Sequence, residues 1–303
     1  MVEEVKIIML GTGTPNALPS KSGPAIALLV AEHVYLLDCG PGVVRRAEAA
    51  VLQGVRELAA KNLSRVFLTH LHSDHTAGLA DLLLTPWVLG REEPLQVFGP
   101  QGTSKMCHHL EQAYRVDIQN RIYGAEHANP QGIRMQAKEY KEGVFYEDGR
   151  IQVEAYLMQH PPFEAYGFRI TTPRGVIVFS GDTAPCQGIE QAAKDCDLLI
   201  HEVYSAKGVQ SRTPKWYQYH TSVHTSEVEL AALVKKVQPK TLILTHQLWM
   251  LGENESGLEA AKLKREAEMI ANIASEYGGQ IISARDLDCI TLDSQVNAHL
   301  NRN

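Results

Sequence analysis

The stretch FLTHLHSDHTAGL, residues 67–79, places His70, His72, Asp74 and His75 within six positions. Imidazole nitrogens and a carboxylate at this density are donors suited to a divalent metal, which acidifies a water for hydrolysis. A solvated polar loop is the plain alternative, and the rest of the chain decides between them. Other apolar runs also end on donors. VYLL ends on Asp38, RVFLT on His70, AYLMQ on His160, VIVFSG on Asp182, DLLI on His201 and Glu202, and TLILT on His246. Loops at the carboxyl ends of strands converge on a rigid frame, so such endings point to one shared site. There are too many donors for one ion. Two ions about 3.5–4 Å apart could share a bridging carboxylate and a bridging hydroxide. With no cysteine in the set, zinc, manganese and iron all fit.

The elements that must position these donors are short. VKIIML reads as a strand, and AIALLV with VYLLD as a hairpin turning at AEH. Residues 43–61 have helical spacing, followed by strand RVFLTH, a helix through AGLADLLLTPWVLG, strand LQVFG and helix TSKMCHHLEQAYRV. GVFYEDGRIQVEAYLMQH reads as a hairpin turning at EDGR, with strands YGFRITT, GVIVFS and DLLIHE after it. TSEVELAALVKKV is a helix with Thr225 or Ser226 capping it and Glu227 close behind. TLILTH is a strand and residues 255–278 a long amphipathic helix. Residues 117–140 are polar and poorly periodic, read as a loop over the pocket or a dimer contact. Strands outnumber helices in both halves. The expected class is α/β, a four-layer αββα sandwich of two mixed sheets face to face with helices outside, formed by residues 1–303 as one domain.

Composition narrows the classes. Of 303 residues, 44% are hydrophobic, enough for a large core. No apolar run approaches the roughly 20 residues of a membrane span, and MVEEVKIIML reads as a strand rather than a signal. Five scattered cysteines without C-x-x-C argue against a disulfide framework and for a cytoplasmic location. The net charge of −6 argues against nucleic acid as the main partner. GTGTPN at 11–16 lacks the third glycine of a dinucleotide loop and reads as a tight loop flooring the site.

GTGTPN, LLDCG at 36–40, THLHSDHTAGL at 69–79, FSGDT at 179–183 and LILTH at 242–246 together resemble the ordered motifs of the metallo-β-lactamase-fold hydrolases, over nearly the whole chain. HEVY at 201–204 and HTS at 224–226 resemble the ribonuclease Z and arylsulfatase-like branch. The GTGTPN opening and the LHSDHTAGLADLLLTPWVLGR run are most similar to the arylsulfatase-like group. The resemblance implies that His70, His72 and His160 hold one ion, that Asp74, His75 and His246 hold the second, and that Asp182 bridges. Asp38 would orient the histidine loop by hydrogen bonds. His224 would donate to the leaving oxygen with Glu202 orienting its other nitrogen, and Asp74 would also move protons. His220, in the preceding HTS, competes with His224 for that role.

The expected activity is a binuclear hydrolase, with zinc the first choice of metal. It would cleave a small anionic ester, an arylsulfate or phosphodiester, by a metal-bridging hydroxide. The alternatives are tRNA 3′-end processing, lactone or β-lactam hydrolysis, and a metal-binding protein without catalysis. The tRNA reading is disfavoured because no Gly/Pro-rich arm separates His160 from Asp182 and QLWM follows His246. Similar proteins are often dimers, and a homodimer is one option here.

Overall fold

The computed structural model describes residues 3–252, 259–293 and 297–302. Among the described residues, fifteen strands form two sheets. The first contains β1 (Val5–Gly11), β2 (Ala25–Val30), β3 (His33–Leu37), β4 (Arg65–Phe67), β5 (Leu95–Gly99) and β6 (Met135–Glu139) in that order. The second contains β7 (Gly143–Glu147), β8 (Gln152–Met158), β9 (Ala165–Thr172), β10 (Gly175–Phe179), β11 (Leu198–Tyr204), β12 (Thr241–Leu248) and β13 (Gln280–Ser283), again neighbour to neighbour. The chain then returns, and β14 (Cys289–Leu292) and β15 (Ala298–Asn301) extend the first sheet beyond β1. Each sheet is mixed. Pairing is antiparallel from β15 to β3 and from β7 to β10, and parallel from β3 to β6 and from β10 to β13.

The period of two along each strand builds the layers. In β1, Val5, Ile7 and Met9 face the second sheet, while Ile8 and Leu10 face helices. β2 does the same with Ile26, Leu28 and Val30 against Ala25, Ala27 and Leu29. Both faces are apolar, which is why these strands read as continuous hydrophobic runs. Each fully buried Leu, Ile or Phe contributes about 1.5–3 kcal/mol. Outside the first sheet lie α1 (Val43–Leu52), α2 (Ser73–Thr76), α3 (Leu79–Val88), α4 (Thr103–Ala113) and α5 (Arg115–Tyr123). Associated with the second are α6 (Gln187–Ala192), α7 (Ala206–Val209), α8 (Pro214–Val223), α9 (Glu227–Val237) and α10 (Glu259–Ala274). The four layers expected from the sequence are present.

Several boundaries differ from expectation. The helix expected over 43–61 stops at Leu52, because Gly54 adopts φ 102° and short 3-10 turns follow. β4 ends at Phe67; the Leu68 amide still donates to the Phe98 carbonyl, and Thr69 and His70 have left the ladder. Residues 117–140 are not a pocket loop. They form most of α5 and the edge strand β6, and none lines the donor cavity described below. The capping box of α9 uses Ser226 with Glu229; Glu227 is instead buried, accepting from the Ala206 amide and Asn272. The expected long helix begins at 255, and its residues 255–258 lie outside the described residues.

The parallel halves send their carboxyl ends to one edge. β8, antiparallel to β9 and so codirectional with β10, also ends there. The loops after β3, β4, β8 and β10 and the ends of β11 and β12 therefore share one rim.

Candidate active site

The rim gathers the donors that the sequence scatters, His201 excepted. His70, His72, His160 and Asp182 offer ligand atoms within 4.8 Å of one another; so do Asp74, His75 and His246, and so do Asp182, His224 and His246. His72 Nδ1 stands 2.9 Å from His70 Nε2 and 3.1 Å from His160 Nε2. His75 Nε2 is 3.5 Å from Asp74 Oδ2 and 3.4 Å from Asp182 Oδ1, and His246 Nε2 is 3.3 Å from Asp74 Oδ2. Asp182 thus lies between the two groups.

His246 and Glu202 are not at strand ends, contrary to expectation. Both lie inside strands, and a bulge makes the site. Glu202 pairs with Thr245, and Val203 then pairs with Gln247, so His246 has no opposite residue. His246 adopts φ 44°, which turns its ring out of the ladder, the known effect of a bulge. The turn before Asp182 depends on Gly181 at φ 56°. A Cβ there would sit 3.0 Å from Thr69 Cβ.

Outer hydrogen bonds fix the rings. Asp38, fully buried, accepts from the Thr69 amide at 2.7 Å and pairs with His75 Nδ1 at 2.8 Å. Thr69 Oγ1 lies 3.0 Å from His70 Nδ1, and the Val223 carbonyl 2.8 Å from His160 Nδ1. These contacts leave Nε2 of His70, His75 and His160 directed into the cluster. His75 Nε2 and Asp182 Oδ1 are buried and have no hydrogen-bond partner among the described residues. Buried polar atoms seldom lack one. Orphaned nitrogen and oxygen atoms aimed at a common centre fit divalent cations, with hard and borderline donors and no thiolate.

The charges agree. Burial, reinforced by neighbouring imidazoles, holds His70 well below its ordinary pKa and lowers His72 and His160. Burial opposes charge on His75, but Asp182 and Asp38 prevail and raise it well above the ordinary value. Burial likewise opposes ionisation of Asp182, and His246 and His75 overcome it, taking it well below.

His224 lies beside this cluster, with Nδ1 2.8 Å from Glu202 Oε1. Glu202 Oε1 also accepts from the Thr183 amide at 2.9 Å. Burial lowers His224 to about 4 and pushes Glu202 well above the carboxylate range. His220, the competing histidine, has no carboxylate partner among the described residues. Its ring lies 5.9 Å from that of His224. His201 is fully buried, bonded through Nδ1 to the Glu202 carbonyl at 2.6 Å, as a core residue would be.

A cavity of about 470 Å³ opens over the cluster, bounded by Pro15 and Asn16, by α8 and by Arg212. The GTGTPN loop does border the site. It is held by Asp286, which accepts from the Thr12 and Ser22 amides at 2.9 and 2.7 Å. Sequence reasoning missed Arg212 and Phe163. Arg212 sits in a short turn with no spacing signal. Phe163 follows Pro161–Pro162, and its ring centroid lies 4.1 Å from that of His72.

Comparison with known proteins places this geometry. The beta-lactamase superfamily domain matches residues 33–247. A ribonuclease Z of Mycobacterium bovis BCG is 33% identical over 292 residues, covering 93% of this chain and 96% of its own. The metallo-beta-lactamase fold protein YhfI of Bacillus subtilis superposes with TM-score 0.70 at 18% identity, covering 95% of this chain and 99% of its own. The short form of human tRNase Z does so with TM-score 0.64 at 20% identity, covering 94% and 98%. At those identities the two structures speak for the fold alone.

The relative named ribonuclease Z overturns two expectations. The chain does not side with arylsulfatase-like enzymes of small anionic esters, and nucleic acid is not an improbable partner. The net charge misled because it averages over the whole surface, whereas the rim of the cavity carries Arg212 and the adjacent α8 carries Lys215. The missing arm between His160 and Asp182 misled because nearly full-length similarity to a ribonuclease Z persists without it.

Proposed function

This chain belongs to the beta-lactamase superfamily, in its ribonuclease Z-like branch, and we propose that it is an endoribonuclease that cuts precursor tRNA at the 3′ end of the mature sequence. By that membership it is a metal-dependent hydrolase. The observation that carries the RNA reading is the 33% identity to a ribonuclease Z across 93% of the chain.

His70, His72 and His160 would hold one ion, Asp74, His75 and His246 a second, and Asp182 would serve both. Zinc suits the nitrogen and oxygen donors. Bound divalent ions would supply Lewis acidity at the scissile phosphate and acidify the attacking water.

The remaining work falls to the chain. A departing 3′-oxygen needs a proton, and His224 faces the cavity with Nδ1 committed to Glu202. Burial disfavours charge on both partners, so the pair is most stable net neutral. Its proton then rests either on Glu202 or on His224 Nδ1. In both arrangements Nε2 carries a hydrogen and can donate it to the leaving oxygen. Glu202 therefore acts through His224, setting which nitrogen faces the substrate.

The test is cleavage of a precursor tRNA bearing a 3′ trailer by protein loaded with zinc. The expected products are a tRNA ending in a 3′-hydroxyl and a 5′-phosphorylated trailer. Their absence, with metal bound and the fold intact, would overturn the proposal.

A further inference from the structure

Helix α8 is anchored at one end. Val223 is its buried residue, and positions 211–218 are exposed. Its cavity side is nonetheless aromatic. Trp216, Tyr219 and His220 stand at i, i+3 and i+4, one face of a helix, and all three line the cavity. Trp216 is 50% exposed.

The rings form a stepped series. Trp216 and His220 have centroids 5.8 Å apart, His220 and His224 5.9 Å, and His224 and His246 5.9 Å. Successive planes differ by 28°, 28° and 27°. Rings each tilted by no more than 28° from the next thus run from solvent to the donor cluster. Tyr219 stands edge-on to Trp216 at 5.6 Å. Each gap is already closed by its two rings, so an incoming ring has only the outer face of Trp216 to stack on. Cations are at hand: Arg212 lines the same cavity, with no carboxylate paired to it among the described residues, and Lys215 Nζ lies over the Trp216 ring, 5.8 Å from its centroid.

A flat aromatic face with cations close by suits a π-system attached to an anion. A small ester whose only ring is its leaving group would react at the cluster and stop short of Trp216, the outermost ring of the series. A polymer with a base on every phosphate reaches both places. Resting on the RNA-processing reading above, we infer that the cavity face of α8 is a base platform. An unpaired nucleobase flanking the scissile phosphate stacks on Trp216, Tyr219 borders it, and Arg212 takes an adjacent phosphate. Stacking of one base on an aromatic side chain corresponds to about 5- to 150-fold in binding.

The experiment uses the zinc-loaded protein and precursor tRNA that is either intact or abasic at the nucleotide 5′ or 3′ of the cut. On intact substrate, Trp216→Ala lowers kcat/KM by about 5- to 150-fold, and Trp216→Phe recovers most of it. The wild-type protein loses a comparable factor on one of the two abasic substrates, and Trp216→Ala loses nothing further there. Arg212→Gln flattens the dependence of log kcat/KM on log salt by about 0.7. Circular dichroism and Tm of the variants match wild type, since both side chains are exposed. The inference is overturned if the Trp216→Ala and abasic losses multiply at both positions, or if Trp216→Ala stays within twofold of wild type. A wild-type protein that cuts no precursor tRNA sinks the functional reading and this inference with it. Cutting with multiplying losses sinks the inference alone.

Discussion

Asp38 Oδ2 lies 2.8 Å from His75 Nδ1, and the same fully buried carboxylate also accepts from the Thr69 amide and hydroxyl. One side chain thereby sets the ring of His75 and the start of the segment that carries His70 and His72. Asp38→Asn keeps the shape but weakens these bonds. The expected result is a 10- to 100-fold loss of metal affinity with the fold retained, read by competition with a chromophoric chelator. Unchanged affinity would show that Asp38 serves only packing.

Metal uptake is expected to release protons. Burial opposes charge on His75, but Asp182 and Asp38 raise it well above its ordinary pKa, so it holds its proton to higher pH than a free imidazole and a cation must displace that proton. Affinity therefore rises with pH, by about tenfold per unit for each proton displaced, until the pH passes the raised pKa. Calorimetry in buffers of different ionisation enthalpy counts those protons. Chelation should also lower Tm, because ions that bind the folded chain stabilise it by mass action. Zinc analysis is expected to give two ions for wild type and fewer for Asp182→Ala.

If His224 donates the proton, His224→Ala costs about 10²–10⁴-fold in kcat. Glu202→Gln should follow the same pattern more weakly. The loss shrinks as the leaving group becomes more acidic, since such a group departs without help. His220→Ala should not show that leaving-group dependence. An equal loss on good and poor leaving groups for His224→Ala would mean that it positions substrate instead.

Asp38, His70, His160, Asp182 and His246 were legible in the sequence because each closes a short apolar run, and His72, Asp74 and His75 because they crowd behind one such run. What was not legible is how His246 leaves the ladder beside Glu202. Alternation cannot show a bulge, because a bulge is a mismatch between two strands, here Glu202 opposite Thr245 and Val203 opposite Gln247. The edge strand β6, MQAKE, was missed for a related reason. It has no fully buried residue and so carries no hydrophobic signal. The substrate class was misjudged because a whole-chain charge says nothing about where Arg212 and Lys215 stand.

Arg91 should matter for stability while touching none of the chemistry. Its guanidinium is buried with no carboxylate partner among the described residues and donates to the carbonyls of Leu63, Leu82, Leu83 and Gly132 at 2.7–3.0 Å. Pro86 has no amide hydrogen to give the Leu82 carbonyl within α3, and Arg91 supplies one instead. Arg91→Met fills similar volume but strands up to four buried acceptors, at about 1–3 kcal/mol for each that no water reaches. A loss of about 3 kcal/mol or more is expected in urea unfolding. Activity per folded, metal-loaded molecule should stay near wild type. A loss below about 1 kcal/mol would mean that α3 and residues 63 and 132 do not depend on this side chain.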